Sequence, residues 1–224
     1  MLQFTRHADG RTDRIAAEID TLVVAGWTGC DAAAIEHHIE ELAAIGVPRP
    51  SAVPLFYRVA ATQLTQAASL QVLGPDSSGE VEPVIVSLAD GLWLGIGSDH
   101  TDRKAESISV ALSKQLCGKV IGTALWRLDE IDWDKLILRS HAEIGGKRVL
   151  YQEGPVAGIR SPDDLIRRYT NADTLPAGTA MFCGTLGAKG GVRPGTKFEM
   201  EIEDPVRRRS LRHSYAIEAL PVIA

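Results

Sequence analysis

Apolar residues recur along this chain with two periods, and the shorter one dominates. Strict alternation is clearest in Phe198-Glu199-Met200-Glu201-Ile202-Glu203, the period of a half-buried strand. Continuous apolar runs bounded by turn residues predict buried strands at Leu22–Trp27, Gly79–Val86, Leu92–Gly97 and Thr179–Cys183. Further strands are predicted within 1–13, with a turn at Ala8-Asp9-Gly10-Arg11, and at Leu55–Val59, Val120–Trp126, Leu136–Leu138, Val149–Tyr151 and Tyr215–Ile223. Helical spacing is confined to three places. Asp31 caps a helix running to about Ile45, where Gly46 and Pro48 stop it. Residues 103–117 place Ala105, Ile108, Ala111, Leu112 and Leu116 on one face, and Gly118 ends them. Ser161 caps a short helix with Pro162 at its first position. The stretch 62–74 fits either period, and Pro48–Pro54 is an extended linker.

This pattern predicts an α+β, β-rich chain of mixed sheets with few helices. Residues 1–60 supply N-terminal strands and a helical segment, and residues 61–224 supply the β-rich core of one continuous domain.

The two runs on either side of Ala89-Asp90-Gly91 form the natural hairpin. At the head of the first, Glu80 and Glu82 are two residues apart, so they share a strand face, roughly 6–7 Å apart along the chain. Pairing across the turn returns Asp99, just past the second run, to the same end. A divalent cation with a preference for hard oxygen ligands resolves the repulsion among such carboxylates. A solvated strand end carries the same E-x-E spelling, and spacing alone leaves both readings open.

Composition narrows the field. The 224 residues carry a net charge of −5, which disfavours nucleic acid and anionic membrane as partners. No run has the apolar length of a membrane span, and Met1–Arg6 lacks the core of a signal peptide. Cys30, Cys117 and Cys183 show no metal or disulfide spacing and read as small packing residues of a reducing, cytoplasmic setting.

Other clusters carry weaker chemistry. His38 and Glu41 are three apart on one helix, as are His37 and Glu40, so each pair shares a face. Either a base with its orienting carboxylate or a solvated helix face has that form. Lys119, after a helix stop and before a strand, can anchor a substrate carboxylate. The Gly-rich stretch Gly184–Gly195 lacks the order of a P-loop and precedes a strand rather than a helix. Arg207-Arg208-Arg209 with Arg212 reads as a charged hairpin between the last strands, and His100 is the histidine placed nearest Asp99.

Taken in order, these stretches resemble the fumarylacetoacetate hydrolase superfamily, and more closely its DUF2848-like bacterial branch. His38-Ile39-Glu40-Glu41, followed by Pro54-Leu55-Phe56-Tyr57-Arg58, resembles the family's H-x-x-E helix and P-L-F-x-K-P segment. Glu80-Val81-Glu82 resembles its E-x-E, and Asp99-His100-Thr101-Asp102-Arg103 its D-x-[ST]-x-R-D. Gly118-Lys119 matches a G-K, and Cys183-Gly184-Thr185 through Ile202 resembles the T-G-T…P-G-D-x-V-x-x-E-I ending. The resemblance implies a mixed β-roll or sandwich, a homodimer, and Mg²⁺ or Mn²⁺ held by Glu80, Glu82 and Asp99. It implies His38 as general base, oriented by Glu41 on a segment that closes as a lid. Lys119 belongs to the same implied catalytic set, with Arg58, Arg103 and Thr185 as substrate contacts.

The implied activity is metal-dependent hydrolysis of a C–C bond in a small oxo-acid or β-dicarbonyl compound. Decarboxylation or isomerisation on the same site stands beside it, as does a non-catalytic small-acid binding protein. The chain departs from the family in three places. Arg58-Val59 replaces Lys-Pro, Lys104 replaces the second Asp of R-D, and only 16 residues separate Glu82 from Asp99.

Overall fold

The chain opens with a hairpin of β1 (Leu2–Ala8) and β2 (Arg11–Ala17), then β3 (Thr21–Gly26), helix α1 (Ala32–Ala44) and β4 (Leu55–Val59). Two short strands, β5 (Leu64–Thr65) and β6 (Ser69–Leu73), resolve the ambiguous stretch in favour of extended backbone. They lead through β7 (Ser77–Ser78) into the central hairpin of β8 (Val81–Leu88) and β9 (Gly91–Ser98). Next come β10 (Thr101–Asp102), α2 (Arg103–Glu106) and α3 (Val110–Leu116), and then β11 (Lys119–Ile121) and β12 (Ala124–Arg127). A second hairpin, β13 (Ile137–Ile144) and β14 (Lys147–Pro155), precedes α4 (Pro162–Thr170), and β15 (Thr179–Phe182), β16 (Lys197–Asp204) and β17 (Arg209–Leu220) close the chain. This computed structural model describes residues 1–44 and 49–223, with the side chains of Ala34, His38 and residues 41–44 outside the described atoms. The expected helix stop at Gly46 and Pro48 therefore lies outside the described residues.

Two sheets carry the architecture, which is the β-rich α+β type expected. The larger has ten strands, in the order β2-β1-β12-β9-β8-β15-β3-β4, with β11 and β5 branching from β9. The smaller runs β14-β13-β16-β17-β6. Because strand side chains alternate, the large sheet has two apolar faces. On one face Val81, Ile85, Leu94 and Ile96 pack against Leu138, Phe198, Met200 and Tyr215 of the small sheet. On the other, Phe4, Leu22, Val24, Val84, Val86, Leu125 and Phe182 come from the large sheet itself, which curls around them. Both faces of β8 are thus dry, which is why its sequence is a continuous apolar run rather than an alternation.

Local signals account for the helix starts. Ala33 N–H donates to Asp31 Oδ1 at 3.0 Å. Asp164 N–H donates to Ser161 Oγ at 3.3 Å, and Asn171, in left-handed conformation, ends α4. The expected single helix over 103–117 is corrected by the structure. Ser109 adopts an extended conformation and caps a new start, its Oγ accepting from Leu112 N–H at 3.3 Å. The break turns the apolar stripe outward. Ile108 is 76% exposed and Leu116 49%, whereas Ala105, Ser113, Lys114 and Cys117 are buried.

The cysteines also divide. Cys117 and Cys183 are buried packing residues, but Cys30 is exposed, and all three are free thiols. Arg207 and Arg208 lie in the turn between β16 and β17, and Arg209 opens β17, as the sequence implies. No helix among the described residues is long and apolar enough to cross a membrane.

Gly97 marks where the packing is tightest. A Cβ there would stand 2.6 Å from the Phe182 ring and 2.8 Å from the Val120 carbonyl oxygen, which the β11–β9 pairing holds in place. Gly97→Ala is expected to destabilise the fold by about 1–3 kcal/mol, the usual cost of overpacking. Urea denaturation would read this as a lower midpoint at unchanged slope, and an unchanged midpoint would contradict it.

Candidate metal centre

The β8–β9 hairpin sets the centre of the site. Its register pairs Val81 with Ser98 and Glu82 with Gly97, so the chain emerging from β9 lies beside the chain entering β8. Asp99 N–H donates to the Glu80 carbonyl at 3.0 Å, and Glu80 N–H donates to Ser98 Oγ at 3.1 Å. Glu80, Glu82 and Asp99 each present an oxygen, and these oxygens lie within 4.8 Å of one another. Glu82 shares the face of Val84 and Val86, so it points into the mouth of the curled sheet. Glu80 is partly exposed and opens the cluster to solvent, while Glu82 and Asp99 are buried.

Each carboxylate has its own support. Glu82 Oε2 accepts from Gly184 N–H at 2.8 Å. Gly184 has φ +100°, and a Cβ there would fall 1.8 Å from Thr28 Oγ1, so only glycine places this donor. Glu80 pairs with Arg103 at 3.0 Å. Asp99 Oδ2 accepts from Lys114 Nζ, and Lys119 Nζ stands 3.1 Å from Asp99 Oδ1. That contact is off the hydrogen-bonding direction, which leaves buried Oδ1 without a hydrogen-bond partner among the described residues.

The titration of these groups follows from burial and charge. Burial, reinforced by the charges of Asp99 and Glu80, raises Glu82 well above the ordinary carboxylate range. Burial also works against an ionised Asp99, but the ammonium groups of Lys114 and Lys119 prevail and hold it at about 2. Burial lowers Lys119, whereas Lys114 is raised because Asp99 and Glu80 outweigh its desolvation.

The remaining expected site residues are placed as follows. Lys119 is fully buried, and its Nζ donates to the carbonyls of His100 at 2.5 Å and Cys117 at 3.0 Å, so it fixes Asp99 from behind. Arg103 is committed to Glu80, to Glu106 at 2.9 Å and to Ser78 Oγ at 2.7 Å. Thr185 donates to the Val81 carbonyl at 2.6 Å and accepts from Gln152 at 2.7 Å, clamping the Gly184 loop onto β8.

Arg58 is not brought to the cluster. It points to the opposite face of β4 from Tyr57, toward Tyr169 at 3.3 Å, as strand alternation requires. His100 turns away from Asp99 toward Tyr215 and Ser77, and burial drives it down to about 3, so it is a neutral structural residue. His38 and Glu41 lie on α1, and their side chains fall outside the described atoms. Lys114 is the site residue that the sequence did not mark. The apolar stripe of its helix points the other way, and a helix-start reading at Ser109 is the signal that finds it.

Three carboxylates whose oxygens lie within 4.8 Å of one another, one of them, Asp99 Oδ1, without an aligned hydrogen bond, form a hard-oxygen donor set that fits Mg²⁺ or Mn²⁺. Glu82 then carries a testable sign. A carboxyl whose folded value lies above its unfolded value, about 4.3, contributes most to stability at low pH. That contribution is lost as pH rises toward the folded value. In chelator at pH 8, Glu82→Gln is expected to melt several degrees above the parent protein, with the advantage vanishing by pH 4. A melting point lowered equally at both pH values would overturn this.

Comparison with known proteins follows the same lines. No curated protein matches the chain by sequence. Among solved structures, Cg1458 with inhibitor has 18% identity and a TM-score of 0.66, over 93% of this chain and 81% of that one. A 2-keto-3-deoxy-D-arabinonate dehydratase complexed with magnesium and 2,5-dioxopentanoate has 14% identity and a TM-score of 0.62, over 95% and 86%. The 4-oxalocrotonate decarboxylase from Pseudomonas putida G7, complexed with magnesium and adipate, has 15% identity and a TM-score of 0.56, over 88% and 77%. At these identities the likeness establishes the shared fold alone. Residues 25–215 match the family described as "Protein of unknown function (DUF2848)", and the chain belongs to that family.

Proposed function

We propose that this protein is a divalent-metal-dependent enzyme that breaks a C–C bond in a small oxo-acid. One observation carries the proposal: Glu80, Glu82 and Asp99 converge within 4.8 Å at the mouth of the curled sheet. The magnesium complexes of the dehydratase and the decarboxylase support it as structures of the same fold. When bound, Mg²⁺ or Mn²⁺ supplies Lewis-acid stabilisation of negative charge developing on a carbonyl oxygen.

The chain's own residues do the rest. Gly184 N–H and the Lys119 ammonium hold Glu82 and Asp99 in place, and Arg103 holds Glu80. His38, oriented by Glu41, takes a proton from water in the hydrolytic reading. With no water held there, the same arrangement decarboxylates, a second reading favoured by the likeness to 4-oxalocrotonate decarboxylase. Arg58 has no part in this reading, because it faces Tyr169. We take a homodimer in a reducing cytoplasm as the working form, on the family resemblance and the free thiols.

Two measurements test the proposal. At pH 7.5, millimolar Mn²⁺ or Mg²⁺ is expected to raise the melting temperature by several degrees. The rise should be smaller at pH 5, where protons compete for the carboxylates. Indifference to both metals at pH 7.5 would overturn the metal site.

With metal present, the protein should turn over at least one member of a panel of 2-oxo dicarboxylic, 2,4-dioxo and 3-deoxy-2-oxo sugar acids, and EDTA should abolish this turnover. Release of CO₂ marks decarboxylation, and a new carboxylic acid without CO₂ marks hydrolysis. His38→Ala should lower kcat by about 10²–10⁴-fold while metal affinity stays unchanged, and His37→Ala should do little. Metal binding without turnover of any panel member would favour a binding protein and overturn the enzymatic reading.

A further inference from the structure

Building on the metal site read above, we propose that Lys114 closes this carboxylate cluster when no cation is bound, and that a divalent cation binds by taking the place of its ammonium group. Lys114 would then set how tightly the site holds metal.

The geometry distinguishes the two lysines that meet Asp99. Lys119 Nζ is fixed by two backbone carbonyls, at 2.5 and 3.0 Å, and its side chain is wholly buried. It cannot leave without stranding an ammonium in the core. Lys114 Nζ has a different set of neighbours. It donates to Asp99 Oδ2, stands 4.0 Å from Glu80 Oε2, and lies 5.6 Å from the centre of the Tyr57 ring. Its side chain is 8% exposed, on the solvent side of the cluster where Glu80 opens. The ammonium is therefore held by the same carboxylates that a cation would use.

Charge makes the two occupants alternatives. Glu80 is paired with Arg103 and lies near Lys114, and Asp99 is paired with Lys114 and Lys119. These two carboxylates already have cationic partners before any ion arrives. A dication added at the same oxygens would face Lys114 across a few ångströms of poorly screened space, which is strongly repulsive. Lysine's four-carbon stem lets its head move without moving the helix. The face of Tyr57 offers the displaced ammonium a cation–π contact on its way out. The short helix α3 is anchored by the Ser109 cap and by its buried inner face, so its position need not change.

The exchange is measurable as metal affinity. Metal-stripped parent protein, Lys114→Met, Lys114→Arg and Lys104→Met would be titrated with Mn²⁺ at pH 7.5, by calorimetry and by the electron paramagnetic resonance signal of free Mn²⁺. Lys104 is exposed on the adjoining helix α2 and reports removal of a nearby charge that touches no carboxylate of the cluster. Lys114→Met is expected to bind Mn²⁺ about tenfold more tightly or better, while melting lower than the parent in EDTA because Asp99 keeps only Lys119 of its two ammonium partners. Lys114→Arg keeps the charge and should stay within about threefold of the parent, and Lys104→Met within about twofold.

Should Lys114→Met fail to fold, Lys114→Gln, which keeps a donor for Asp99, should show the same tightening. Equal or weaker binding by the neutral variants, with the parent still binding, would overturn the role of Lys114 and leave the metal site standing. Tightening in Lys104→Met equal to that in Lys114→Met would show a long-range charge effect and also overturn it. Failure of all the proteins to bind Mn²⁺ would remove the metal site itself.

Discussion

A fully buried aspartate is the constraint around which this molecule is arranged. Asp99 has no exposure, and it remains ionised only because two ammonium groups meet it from different elements. An isolated carboxylate in that position would cost several kcal/mol or take up a proton. The short helix α3 must therefore present Lys114 inward at the expense of its apolar stripe, and β11 must begin with a lysine whose head returns to the turn after β9. The break at Ser109, the outward Leu112 and the antiparallel pairing of β11 with β9 together bring both lysines to one charge.

Much of this was legible in the chain. The hairpin through Ala89-Asp90-Gly91 has runs of similar length on both sides, so counting outward brings Asp99 to Glu80 and Glu82 without any three-dimensional information. Period-two spacing put the two glutamates on one face, and cap residues placed the starts of α1 and α4. These features are local or depend on a single turn.

What escaped was set by contacts between distant elements. The orientation of α3 was misread because its apolar residues imply a buried stripe, and only the demand of Asp99 explains why the polar face goes inward. Arg58 was assigned by motif order, but the register of β4 on β3 turns it to the far side of the sheet from the cluster. Thr185 and Arg103 sit where the motifs put them, yet their polar atoms are already taken by Val81, Gln152, Glu80 and Glu106. A motif gives a residue's address, and its hydrogen-bond partners decide how much of it is left for a substrate.

The support of Glu82 by a main-chain donor has its own consequence for how such a site is explored. Gly184 contributes an amide that no side-chain truncation can delete, and whose proton does not titrate over the range in which the glutamate does. A survey that shortens side chains one at a time would pass over this position, or would find at Gly184 only damage from collision with Thr28. The information that directs Glu82 resides in the path of the loop. Redesign of the pocket could therefore exchange nearly every visible group around the carboxylates and keep their aim, provided that the backbone between β15 and the Thr185 clamp is left alone.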